Sequence, residues 1–123
     1  MTDRYQQLLE MVHSRAGDAF RVAIRYTPDD FEVTYVRDDL ANAEFRETVG
    51  ETVERARNYE PISDISFYRG LGEHEATVEQ YENAVVIHFA RGDERGILIS
   101  LDSDVAQGLG SFIRECTSVL YGE

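Results

Sequence analysis

Residues 84–89 read Ala-Val-Val-Ile-His-Phe and residues 96–102 read Gly-Ile-Leu-Ile-Ser-Leu-Asp, two short Val/Ile-rich runs joined by a charged, glycine-containing turn. Such a pair predicts a β-hairpin. Both runs are apolar at nearly every position, with Val85, Ile87 and Phe89 on one face and Val86 on the other. That is the pattern of strands in the middle of a sheet. After them Val105, Leu109, Phe112, Ile113, Cys116, Val119 and Leu120 keep helical spacing, which predicts a last helix lying across the sheet. Gly108 and Gly110 interrupt its beginning, so the start falls at Asp104 or nearer Ser111.

The chain before this hairpin divides by the same rule. Tyr5, Leu8, Leu9, Val12 and Ala16 share one helical face, Asp3 and Gln6 fit a capping box, and Gly17 is placed to end the helix. Strict alternation follows, with Phe20, Val22, Ile24 and Tyr26 set against Arg21, Ala23, Arg25 and Thr27. Thr-Pro-Asp-Asp at 27–30 supplies a turn, and the return strand points Phe31, Val33 and Tyr35 inward. With Pro28 and Asp29 as the loop, Arg25 falls opposite Glu32 and Ile24 opposite Val33. A second helix runs to about Tyr59 and is closed by Pro61. Its core face is Phe45, Val49, Val53 and Ala56, and Glu44, Glu47, Glu51 and Glu54 form an acidic stripe almost opposite. Residues 62–73 take no clear assignment, and a strand at 74–81 turns through Glu82-Asn83 into the hairpin. The order is α-β-β-α-β-β-β-α, which predicts an α+β fold: a five-stranded, mainly antiparallel sheet with flanking helices, forming a single domain over residues 1–123.

Composition narrows the chemistry. There are 24 acidic residues against 12 basic ones, a formal charge of −12, and every basic residue is arginine. Acid excess without lysine points to a halophilic protein, in which molar salt screens the self-repulsion. The absence of lysine excludes Schiff-base chemistry and a P-loop, and the acid excess disfavours nucleic acid as a partner. No run is long and apolar enough for a membrane span, and the N-terminus lacks a secretory pattern, so a cytoplasmic location is expected with no membrane partner.

The element order resembles the roadblock/longin-type module, a small five-stranded sheet flanked by helices; profilin-like and PAS-like sheets use similar parts in related orders. Arg37-Asp-Asp-Leu40, Leu71-Gly-Glu73, the run 84–89 and Phe112-Ile-Arg-Glu-Cys116 also make the chain resemble one of the small uncharacterised haloarchaeal families. The roadblock likeness implies work by partner binding.

No nucleophile–base constellation is legible. Glu73-His74-Glu75 cannot converge on a metal, because in a strand the histidine faces away from both glutamates. His88 shares a face with Val86 and reads as a hydrogen-bonded residue in a packed sheet, while His13 borders the apolar face of the first helix. Cys116 sits in an apolar stripe as a small hydrophobe. The acid pair Asp102 and Asp104 reads as a cap for the last helix. No catalytic residue, cofactor or metal is therefore expected.

The function expected is a non-catalytic interaction or regulatory module, homodimeric, with a further protein partner. Its docking edge is the strand carrying Glu75, Thr77, Glu79 and Tyr81, whose polar face marks it as half-solvated. The alternative is a small-ligand sensor with a pocket between the sheet and the second helix, lined by Tyr35, Phe45 and Phe67.

Overall fold

The computed structural model describes residues 4–61, 70–72, 74–90, 93–110 and 118–119. Helix α1 (Arg4–Ala16) is followed by strands β1 (Phe20–Tyr26) and β2 (Phe31–Val36), helix α2 (Ala43–Arg57), and strands β3 (Thr77–Gln80), β4 (Ala84–Ala90) and β5 (Gly96–Asp102). Residues 103–106 form a 3-10 turn and 107–110 are helical. The strands lie in the order β2-β1-β5-β4-β3, and every pairing is antiparallel. Both the α+β class and the element order are those the sequence predicts.

Local signals account for the boundaries. Gly17 ends α1 with a φ of 53°, a left-handed conformation that costs glycine nothing. Asn42 caps α2, its side chain accepting from the Phe45 N–H at 2.9 Å. The first hairpin has the expected register, Ile24 opposite Val33 and Arg25 opposite Glu32.

That register does not persist. Thr34 is an extra residue in β2, so Ala23 pairs with Tyr35, and Arg21 is an extra residue in β1 against β5. Each bulge shifts the side-chain phase by one and moves what lies beyond it to the other face. Phe20 and Tyr35, expected beside Ile24 and Val33, instead lie against α1 and stack at 4.4 Å. The sheet is consequently covered on both faces. Tyr5, Leu9 and Val12 of α1 pack on Phe20, Ala23 and Ile99; Val53 and Ala56 of α2 pack on Ile24, Tyr26 and Leu98.

Two arginines tie these layers together. Arg57, at the end of α2, donates to the carbonyls of Thr27 and Asp30 at 2.8 and 2.9 Å, holding the helix to the first hairpin turn. Arg37 donates to Asp39 at 2.7 Å, to the Asp18 carbonyl at 2.7 Å and to Asp102 at 2.9 Å. Asp102 also accepts from Arg21 at 3.3 Å and makes no side-chain cap, so its expected capping role is replaced by an ion-pair junction at the ends of β1, β2 and β5. The Arg37 hydrogen bonds hold both the Asp102 and Asp39 carboxyls below the ordinary carboxylate range.

The final segment departs from the expected face. Helical backbone starts at residue 107, between the two anticipated positions, but Val105 and Leu109 are exposed rather than turned onto the sheet. Cys116, Phe112 and Ile113 lie outside the described residues.

Candidate functional site

Strand β3 is one edge of the sheet, and α2 packs on one face against Ile24, Tyr26 and Leu98. Between them runs a cleft of about 390 Å³. Thr52 and Arg55 of α2, with Tyr59 just beyond its end, form one wall, Thr77, Glu79 and Tyr81 the other, and Val86, His88 and Leu98 the floor. Period-two alternation explains the second wall: Thr77 pairs with His88 and Glu79 with Val86, so all four point to the α2 side.

His88 is the one buried polar or charged residue among those described, at 6% exposure. Its Nε2 lies 2.6 Å from the Tyr26 hydroxyl, and Tyr59 meets the ring edge-on at 5.7 Å. Burial pushes the imidazole below its ordinary pKa, opposed by the charge of Glu79 and assisted by that of His74, so His88 is neutral at pH 7. Burial raises Tyr26 as well. The Tyr26 ring reaches His88 by lying against Gly96, where a Cβ would stand 2.7 Å from both Tyr26 Cζ and the Phe89 carbonyl. At the rim Tyr81 donates to Glu79 Oε1 at 3.0 Å, a bond that raises the phenol pKa.

The backbone phase of β3 is fixed by one bond. The Tyr81 N–H donates to the Ala84 carbonyl at 2.8 Å, so Thr77, Glu79 and Tyr81 turn their backbone groups toward β4. Val78 and Gln80 therefore turn theirs outward, where no described strand pairs with them. Val78 and Tyr81 expose 47% and 55% of their surface beside this row. Gln80 Oε1 is also buried without a hydrogen-bond partner.

The anticipated docking residues thus share a region: Thr77, Glu79 and Tyr81 line the cleft and Glu75 precedes the strand, which is shorter than the 74–81 expected. The anticipated pocket residues are not brought together. Tyr35 lies on the α1 face, and Phe67 is outside the described residues. Phe45 lines a separate hollow of about 160 Å³ with Val22, Val49 and Ser100. Sequence reasoning missed Tyr26, Tyr59 and Arg55, although the glycine in an apolar strand at 96 was a cue to close approach. Among the described residues no group of three His, Cys, Asp or Glu could hold a metal ion, and no helix is long and apolar enough to cross a membrane. A neutral imidazole tied to a tyrosine, a carboxylate tied to another tyrosine and an apolar floor equip the cleft to hold a side chain, through one or two hydrogen bonds and apolar contact.

No curated protein matches the chain. Residues 6–121 match the family described as Domain of unknown function (DUF7522).

Proposed function

The chain belongs to that family, DUF7522, which brings no activity with it, and on the geometry of β3 we propose that the protein is a non-catalytic interaction module docking a second copy along that strand. In this reading it works in the cytoplasm as a small regulatory or assembly unit, and the homodimer presents its surface to a further protein. The observation that carries the reading is the outward row of N–H and C=O groups at Val78 and Gln80, flanked by exposed Val78 and Tyr81. An unpaired strand edge is a template for another strand, and covering its apolar neighbours adds about 25 cal/mol per Å² buried.

Charge supports a salt-dependent association. Glu79 and the acidic stripe of α2 face the same side, so two copies approaching edge to edge repel in dilute buffer and are screened in molar salt. The test is Val78→Pro, which deletes an outward N–H and leaves the β3–β4 ladder intact, the setting in which an edge strand tolerates proline. Light scattering in molar KCl should give a dimer for the unaltered chain and a monomer for the variant. A variant that stays dimeric would mean the subunits meet elsewhere.

A further inference from the structure

We infer that the two copies pair β3 with antiparallel β3 about a dyad at Val78, so that each α2 cleft is continued by Thr77 and Glu79 of the partner subunit. This rests on the reading of β3 as the docking edge and adds its register. Antiparallel pairing of identical edges requires a two-fold axis perpendicular to the sheet, which leaves α2 of both copies on the same side. Because alternate residues from Val78 supply the outward backbone groups, the dyad falls on a residue, and one at Thr77, Val78 or Glu79 pairs Val78 with the partner's Ala76, the partner's Val78 or the partner's Gln80.

Side-chain chemistry selects among them. A dyad at Glu79 sets two carboxylates directly opposite, in a pair whose Cα atoms are about 4.5 Å apart. A dyad at Thr77 sets Glu79 opposite the partner's Glu75, twice over. Like charges placed so are destabilising. A dyad at Val78 sets each Glu79 opposite the hydroxyl of the partner's Thr77, a donor to a carboxylate, and Glu75 opposite the partner's Tyr81. It also brings the two half-exposed Val78 side chains together on the α1 side. No carboxylate then faces another. Thr77 and Glu79 already form the β3 wall of the cleft, so the two clefts become one groove across the dyad.

Cysteine pairing reads the register. In a Cys116→Ser background, which removes the only native thiol, the variants Thr77→Cys and Glu79→Cys are oxidised separately and as an equal mixture in molar KCl. The Val78 dyad puts Thr77 and the partner's Glu79 in a pair about 4.5 Å apart at Cα, within disulfide range. The expected result is a covalent dimer in the mixture and none in either variant alone. Cross-linking of Glu79→Cys alone moves the dyad to Glu79, cross-linking of Thr77→Cys alone moves it to Thr77, and either overturns the register. No cross-link in any sample, while Val78→Pro still converts dimer to monomer, also overturns the register but leaves the docking edge standing. A chain that is monomeric before substitution overturns both.

Discussion

Phe20→Ala is expected to lower the unfolding free energy by about 3–5 kcal/mol, the range for truncating a buried phenylalanine. Phe20 is fully buried, stacks on Tyr35 and meets the His13 ring edge-on at 4.7 Å. The ring therefore joins α1 to both strands of the first hairpin. The bulge at Arg21 gives it that position. If Phe20 followed plain alternation it would lie with Ile24 under α2, and its loss would loosen that helix. On the bulged geometry α1 loosens instead. Urea unfolding gives the magnitude, and amide exchange along α1 compared with α2 gives the location. A loss below about 1 kcal/mol, the scale of an ordinary point mutation, would contradict full burial.

Gly96→Ala is expected to cost about 1–3 kcal/mol, the range for overpacking a close-packed interior. The added methyl would press on the Phe89 carbonyl and on the Tyr26 ring. Neither yields cheaply, since one is backbone in the neighbouring strand and the other is 2% exposed. Displacement of Tyr26 also lengthens its hydrogen bond to His88. The His88 imidazole resonances should therefore shift along with the loss of stability. A stable variant with unchanged His88 resonances would mean that Tyr26 does not rest on Gly96.

These two positions mark where the chain could and could not be read in advance. Alternation located β1 and β2, and the Thr-Pro-Asp-Asp turn set Arg25 against Glu32, because side-chain period and turn chemistry are local properties. A bulge adds one residue without changing composition, so nothing in the run Phe20–Tyr26 announces that Arg21 breaks the phase. Within the first hairpin Ala23, small and apolar between Arg21 and Arg25 on its face, was the hint that a second face was covered. The same phase error put Tyr35 beside Phe45 in an anticipated pocket that the fold divides between two faces. Around the cleft, the edge position of β3 was legible from Glu75, Thr77 and Glu79 alternating with Ala76 and Val78. The Tyr26–His88 contact was not, because it joins residues 62 positions apart and depends on β1 and β4 both flanking β5.

Coverage on both faces leaves the edges of the sheet as the surfaces open to a second molecule. With α1 and α2 each occupying one side, the sheet offers a second molecule its rims, and of these β3 combines outward backbone groups with exposed apolar side chains beside a cleft. Amide hydrogen exchange of Val78 and Gln80, followed by NMR across a dilution series in molar KCl, tests this most directly. Both amides should exchange slowly in concentrated protein and rapidly on dilution, while Glu79, bonded to β4, stays protected throughout. Rapid exchange at Val78 and Gln80 at every concentration would contradict the proposal that a second strand lies along β3.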